Sequence, residues 1–182
     1  MNHKYRVVVA FVHFQLIWWT CVWGAAWGFG GAATVFALAV MVHHFYLSEN
    51  RWAEVQILVA SAGLGLAIDS LLSVLGAYQF AESLHSAPLP PAWLLAIWGA
   101  FGLTYRYLLG WLKGRYLIAA ALGAALGPFT YVMGAQSGAM WVSVAPGHLA
   151  LMALAWLWVL PALDGLHRWV VPPVVEPGVH TG

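Results

Sequence analysis

Six long apolar segments constrain this chain more than any other feature of its sequence. A helix that spans a bilayer needs roughly 20 mostly apolar residues to cross about 30 Å of hydrocarbon. Short connections that contain Gly, Pro and charged residues separate the six segments. We therefore predict an all-α membrane protein, a bundle of six transmembrane helices in one domain over residues 1–169. The segments are 7–27, 29–48, 55–79, 92–112, 116–135 and 147–166.

The composition agrees with a membrane protein and excludes several other classes. Hydrophobic residues make up 63% of the 182 and charged residues only 7%, whereas a soluble domain has about 25% charged residues. A net charge of +1 from scattered cations excludes a basic nucleic-acid surface, so we expect no nucleic-acid partner. The single cysteine, Cys21, excludes an internal disulfide and a multi-cysteine metal site. Residues 170–182 are rich in proline, which predicts a disordered cytoplasmic tail.

The positions of the basic residues predict the orientation of the helices. Lys and Arg in short loops are retained on the cytoplasmic side of a membrane. With the N-terminus inside, the cations outside the apolar segments all fall on the inner side. We predict an N-in, C-in protein, with membrane lipids as its partners. The inner cations are Lys4, Arg6, Arg51, Lys113, Arg115 and Arg168.

The fifth apolar segment carries a face of small residues. Ala119, Gly123 and Gly127 recur at steps of four and therefore lie on one side of a helix. Small residues let helix backbones approach closely in a membrane, where lipid supplies no hydrophobic drive for association. We expect this face to pack against another helix, and a membrane-protein partner that binds the same face is the alternative.

The third apolar segment carries a carboxyl group near the middle of the membrane. Ser61, Gly65, Asp69 and Ser73 share one helix face, and Asp69 lies roughly 21 Å from the inner boundary. An ionised aspartate costs several kcal/mol at that depth and must face protein or water. Asp69 is therefore either a hydrogen-bonded clamp between helices or a functional site, and we expect Tyr131 at a similar height.

The fourth apolar segment carries Arg106 between two small residues, Gly102 and Gly110. The arginine lies roughly 9 Å above the inner boundary. Its guanidinium could extend to the inner phosphates, or it could point into the bundle as the partner of an anion. Because the depths of Arg106 and Asp69 differ by roughly 12 Å, a direct bridge between them is not favoured.

Further polar side chains share this inner half of the membrane. His13 and Gln15 are two residues apart and point to different sides of a helix, so at most one is central. The neighbours His43 and His44 are likewise not expected to line one seam. We predict an inner polar layer built from Arg106, from His13 or Gln15, and from a second-helix histidine such as His44.

We expect neither a metal nor a cofactor in this polar layer. A metal site needs three or four convergent donors, and no HxxxH or HxxE spacing supplies a preformed pair. The sequence therefore offers binding candidates without an assigned ligand. They are Gln15, Asp69, Arg106, His13, Tyr131 and His44.

Several short motifs lie along the apolar segments. They are Phe14-Gln15-Leu16 with Trp18, Gly65 and Leu66 before Asp69-Ser70-Leu71, Trp111-Leu112, and Gly127-Pro128 with Tyr131 and Gly134. Together they resemble a family that is known only as a domain of unknown function, DUF2878, over roughly residues 7–160. The resemblance implies a multi-pass protein of the bacterial inner (cytoplasmic) membrane without an established activity, whose relatives occur near lipid-modifying enzymes.

This chain departs from the family pattern at two places. The family has an asparagine near Ala10 and an Asn-His pair where this chain has Arg106 and Tyr107. The resemblance therefore implies that a shared chemistry would depend on Gln15 and Asp69 rather than on Arg106.

Three functions are compatible with these features. The first is an accessory factor or enzyme of membrane-lipid modification, in which the inner polar layer meets a lipid headgroup. The second is a small-solute binding or transport component, because six helices in this length resemble the substrate-binding subunits of vitamin uptake systems. The third is a structural scaffold of a membrane complex, in which the polar residues only hold helices together.

Overall fold

A bundle of six helices makes up most of the protein. The computed structural model describes residues 3–80 and 89–170. Val170 ends the last helix, and the rest of the predicted disordered tail lies outside the described residues. The helices are α1 (His3–Ala26), α2 (Gly30–Leu47), α3 (Arg51–Val74), α4 (Ala92–Leu108), α5 (Tyr116–Gln136) and α6 (Pro146–Val170).

Five of these helices are long and apolar enough to cross a membrane. The exception is α4, whose 17 residues are followed by a 3₁₀ turn, Gly110–Leu112. The outer surface of the bundle carries large apolar side chains such as Leu117 and Trp158. These features are those of a multi-pass membrane protein.

The shortest helix, α4, occupies the centre of the bundle. It packs against α1, α2, α3 and α6, whereas α5 packs mainly along α6. The helices α1 and α5 are not packed against each other. A cleft is therefore left between α1 and α5, and its base is formed by α4 and α6.

Glycines bring the helices of two pairs into close contact. In the α3–α4 pair, a Cβ added at Gly65 would overlap the Trp98 ring, and one added at Gly102 would overlap Ser61. In the α5–α6 pair, a Cβ at Gly123 would overlap the backbone carbonyl of Trp156. These helices can pack so closely because the glycines have no side chain at the points of contact.

The small-residue face of α5 is buried inside the chain. Ala119, Gly123 and Gly127 are all buried, and the two glycines lie against Trp156 of α6. The prediction of close helix packing is confirmed. Contact of this face with a partner protein stays a prediction; within the chain, α6 covers the face.

A short sheet closes one end of the bundle, which the all-α prediction did not include. Strand β1 (Tyr78–Phe80) pairs antiparallel with β2 (Met140–Val142), and Tyr78 lies opposite Val142. We call this the sheet end; the opposite end carries the chain's N-terminus and the α2–α3 connection.

Helix α3 ends five residues before the predicted end at residue 79, and a glycine explains why. Gly76 has φ of 75°, and the N–H of Ala77 donates to the carbonyl of Leu72 at 2.9 Å. This is the Schellman arrangement that ends helices at a left-handed glycine. The chain then leaves the helix, and Tyr78 enters a strand instead.

The beginning of α3 also differs from the prediction. The side chain of Asn50 accepts a hydrogen bond from the backbone N–H of Ala53 at 3.1 Å, so the helix begins at Arg51 rather than at residue 55. An asparagine in this position satisfies a free N–H of the first turn. Glu54, which the prediction left in a loop, therefore lies in the first turn of the helix.

The close contact at Gly123 predicts opposite effects for two glycine-to-alanine changes. We expect Gly123→Ala to destabilise the protein by about 1–3 kcal/mol, because the new methyl group meets the Trp156 backbone. Gly63→Ala should stabilise α3 by about 0.5–1 kcal/mol, because its Cβ enters open space and alanine favours a helix. Reversible unfolding in mixed micelles measures both, and a stable Gly123→Ala variant would contradict the packing.

Candidate functional site

The Asp69 carboxyl group is fully buried and accepts hydrogen bonds from three neutral side chains. Its Oδ1 accepts from the hydroxyls of Tyr131 at 2.5 Å and Tyr78 at 2.7 Å. Its Oδ2 accepts from Nε1 of Trp98 at 2.8 Å. In the described part of the chain, no cation forms an ion pair with Asp69. The carboxyl group thus joins α3, β1, α4 and α5.

We call Asp69, Tyr78, Trp98 and Tyr131 the carboxyl clamp. The rings of Tyr78 and Tyr131 stack with centroids 5.1 Å apart and an angle of 16° between their planes. Hydrogen bonds to a charged group contribute about 1.5–3 kcal/mol each, more than those between neutral groups. The geometry supports the interpretation of Asp69 as a clamp between helices, and it places Tyr131 in contact with Asp69 as well as at a similar height.

The cleft between α1 and α5 has a volume of about 450 Å³. Its base is aromatic, because Trp98 of α4 stacks on Trp156 of α6 with centroids 5.2 Å apart. Tyr131 and Trp98 line the cleft, so the carboxyl clamp lies directly behind its wall. Ligand pockets in proteins have volumes of about 300–1,000 Å³, and this cleft lies within that range.

Few polar groups line this cleft. Gln15 faces it from α1, and Thr104 and Thr130 face it from α4 and α5. The two threonine hydroxyls donate to carbonyls of their own helices, Ala100 at 3.0 Å and Gly127 at 2.7 Å. No charged side chain of residues 3–80 and 89–170 lines the cleft. The lining is therefore mostly apolar, and its free polar groups include the Gln15 amide, the Tyr105 hydroxyl and Nε1 of Trp93.

A second polar centre lies at the end of the bundle opposite the sheet. Glu54 is fully buried in the first turn of α3. Its Oε1 accepts from the hydroxyls of Ser48 at 3.3 Å and Tyr107 at 3.4 Å, and it lies 3.8 Å from Nη2 of Arg106. Its Oε2 lies 3.8 Å from Nε2 of His44. This carboxyl group, unlike Asp69, has a cationic neighbour, Arg106.

The guanidinium of Arg106 points into the bundle. Its Nη2 donates to the Tyr107 hydroxyl at 2.9 Å and faces Glu54. Of the two alternatives for Arg106, the structure supports the one in which the guanidinium is the partner of an anion. That anion is the Glu54 carboxylate of the protein itself. Asp69 and Arg106 belong to different centres, as their depths predicted.

Three histidines meet beside this second centre. His13 Nε2 lies 3.0 Å from Nδ1 of His43, and His13 Nδ1 lies 3.5 Å from Nδ1 of His44. The expectation that His43 and His44 would not share a seam is wrong. Both reach His13 because they contact different nitrogens of its ring.

His13 and Gln15 face different sides of α1, as their spacing predicted. His13 faces α2, and Gln15 faces the cleft. Among residues 3–80 and 89–170, no three His, Cys, Asp or Glu side chains converge in a metal-binding arrangement. Each nitrogen of His13 is directed at a different histidine, so the cluster does not surround one central point.

An exposed ion pair lies near Glu54, at the same end of the bundle. Arg6 of α1 donates to Glu49 in the α2–α3 connection. This hydrogen bond holds the pKa of the Glu49 carboxyl below its usual range. The first helix is thereby attached to the connection that precedes Glu54.

Glu54 is the functional candidate that sequence reasoning missed, although a signal was present. Asn50 is a strong N-cap residue, and a helix that begins after it places Glu54 on the same face as Ser61, Gly65 and Asp69. Trp98 and Tyr78, two donors to Asp69, had no comparable local signal. They come from other elements of the chain, and only the fold brings them together.

A sequence-family model described as "Protein of unknown function (DUF2878)" matches residues 7–162 of this chain. No curated protein matches the chain, and no solved structure does.

The carboxyl clamp predicts a marked loss of stability on removal of one donor. Tyr131→Phe removes the hydroxyl that contacts Oδ1 of Asp69, and we expect a loss of about 1–3 kcal/mol. Tyr5→Phe is the matched control, because Tyr5 is exposed on α1, and its effect should stay within about 0.5 kcal/mol. Unfolding in mixed micelles separates the two, and equal stabilities would contradict the clamp.

Proposed function

This chain belongs to the DUF2878 family of proteins of unknown function, and from that starting point we propose that it binds the hydrocarbon chain of a membrane lipid in the cleft between α1 and α5. In this role it is an accessory factor of membrane-lipid modification. The observation that carries the proposal is the cleft itself, about 450 Å³ of apolar, aromatic-walled space in a bundle of membrane-crossing helices.

The surroundings of the cleft favour a hydrocarbon occupant. Its rim includes side chains on the outer surface of the bundle, such as Trp19 of α1 and Leu126 of α5. That surface faces lipid when the helices cross a membrane. Lipid tails are as apolar as the cleft walls, so binding depends on close van der Waals contact rather than on a hydrophobic drive.

The length of the cleft also favours a chain over a compact solute. Its lining on α4 extends from Trp93 to Leu108, a rise of about 22 Å along the helix. A small polar solute, the alternative ligand, would need convergent polar groups, and the cleft offers few. The Gln15 amide and the Tyr105 hydroxyl are available to an ester or hydroxyl group of the lipid.

The proposed orientation has both termini on the cytoplasmic side of a bacterial inner membrane. In this arrangement α4, extended by its 3₁₀ turn, is the sixth span, and the sheet end faces outward. The positions of the cations support the proposal, because Arg51 begins α3 at the end opposite the sheet, and Lys113 and Arg115 lie in the α4–α5 connection at the same end.

A bulky side chain in the cleft should reduce lipid binding. Leu126 of α5 lines the cleft, so Leu126→Trp fills part of it. Leu117→Trp is the matched control, because Leu117 lies on the same helix, is 87% exposed and does not line the cleft. We expect native mass spectrometry to detect less bound phospholipid on the Leu126→Trp protein and an unchanged amount on the Leu117→Trp protein.

Equal lipid retention by the two variants would contradict binding in the cleft. A polar metabolite that co-purifies with the wild-type protein and is lost from the Leu126→Trp protein would support the small-solute alternative. In a strain that lacks the protein, unchanged fatty-acid and headgroup composition would contradict the role in lipid modification.

Cysteine labelling tests the proposed orientation. In a Cys21→Ser background, we expect Val144→Cys, exposed after β2, to react with an impermeant maleimide added outside the inner membrane. Asn50→Cys, in the α2–α3 connection, should react only after the membrane is permeabilised. The reverse pattern would mean that the N-terminus lies outside.

A further inference from the structure

Four protonatable side chains form a continuous row from the surface to the buried carboxyl group of Glu54. The row runs from His43 to His13 at 3.0 Å, from His13 to His44 at 3.5 Å, and from His44 to Glu54 at 3.8 Å. His43 is exposed and lies four residues before the end of α2, about 6 Å along the helix axis. We call these four residues the histidine row.

Both nitrogens of His13 take part in this row, and that restricts where its proton can be. A neutral imidazole has one N–H donor and one acceptor nitrogen. His13 therefore donates to one histidine and accepts from the other. The donors of the row must all point the same way, either toward Glu54 or away from it.

The contact between His44 and Glu54 selects the direction. If the donors pointed away from Glu54, Nε2 of His44 would carry no proton and would present a lone pair to Oε2 of the carboxylate. If they point toward Glu54, an N–H of His44 faces that oxygen, which is favourable. Both atoms are buried and, among residues 3–80 and 89–170, have no other hydrogen-bond partner. The row is therefore a set of donors aimed at Glu54.

We propose that the histidine row conducts a proton from the aqueous phase to Glu54, and that Glu54 is a buried proton-binding site. A proton from water binds Nε2 of His43, and His43 passes its Nδ1 proton to Nε2 of His13. His13 passes its Nδ1 proton to Nδ1 of His44, and His44 passes its Nε2 proton to Oε2 of Glu54.

This sequence of transfers balances in protons and charge. One proton leaves the water, the Glu54 carboxylate becomes neutral, and each imidazole ends neutral in its other tautomer. The contact between Nε2 of His44 and Oε2 must shorten from 3.8 Å to about 3.2 Å for the last transfer, a small side-chain movement.

The groups that face Glu54 come from three neighbouring helices and one connection. His44 faces it from α2, Arg106 and Tyr107 face it from α4, and Ser48 faces it from the α2–α3 connection. His167 of α6 lies within electrostatic range. Proton binding removes the negative charge opposite Arg106, so the occupancy of Glu54 and the position of Arg106 are coupled.

The proton site does not depend on the proposed lipid binding. None of His13, His43, His44, Glu54 and Arg106 lines the cleft between α1 and α5. Failure of either proposal therefore leaves the other in place.

Infrared difference spectroscopy after rapid acidification of the protein in lipid nanodiscs tests the proton site. A protonated carboxyl group gives its own C=O stretching band, and we expect one band to be lost in Glu54→Gln. His13→Gln keeps a hydrogen-bonding side chain but cannot relay a proton, and it should slow the rise of this band by on the order of 10²-fold. Its final amplitude should be unchanged. His148→Gln, at the sheet end, is the matched control and should leave the rate unchanged.

Two results would overturn the proposal. A band that persists in full in Glu54→Gln would assign the proton to another carboxyl group. A wild-type rate in His13→Gln would mean that the histidines only hold helices together. If His13→Gln does not fold, His43→Gln provides the same test, because His43 is exposed and should slow the band equally.

Discussion

The hydrogen bonds to Asp69 are the interaction on which the arrangement of the bundle depends. In a membrane, apolar side chains give helices little reason to prefer one another over lipid, so polar contacts and close backbone packing decide which helices meet. Asp69 accepts from Trp98 of α4, Tyr131 of α5 and Tyr78 of β1. The same contacts position Trp98 and Tyr131, which form part of the cleft wall. The hydrogen bonds of the carboxyl clamp therefore also determine the shape of the cleft wall.

The two buried carboxyl groups of α3 lie in different electrostatic surroundings. Asp69 has only neutral donors, whereas Glu54 lies among Arg106, His44 and Tyr107. They are 15 residues apart on one helix face, about 22 Å along the axis. The two groups therefore hold different ends of α3, Asp69 to α4, α5 and β1, and Glu54 to α4 and to the end of α2.

The six helices, five of them long and apolar enough to cross a membrane, could be predicted from the sequence because hydropathy and length are local properties. The ends of α3 were predicted less well, because hydropathy does not set them. The Asn50 cap fixes the beginning of the helix, and the left-handed Gly76 fixes its end. Asp69 was identified from its depth, but its partners Tyr78 and Trp98 were not. Partners from distant elements follow from tertiary packing, which one sequence without its fold does not specify. The contact of His43 and His44 with the same ring, that of His13, was not predicted. Their spacing along α2 does not show that His13 of α1 lies between them.

The small sheet has a mechanical consequence for the cleft. Strand β2 follows α5 directly and is paired with β1, and Tyr131 ties the same end of α5 to Asp69. The opposite end of α5 begins at Tyr116 and lacks such an anchor to α3 or α4 in the described chain, apart from the 3₁₀ turn beside it. The partner helix α6 is nevertheless held to α4 near that end, where Nε2 of His167 donates to the carbonyl of Gly102 at 2.9 Å. The α5–α6 pair is therefore attached to the rest of the bundle at both ends, so the cleft between α1 and α5 has one rigid wall.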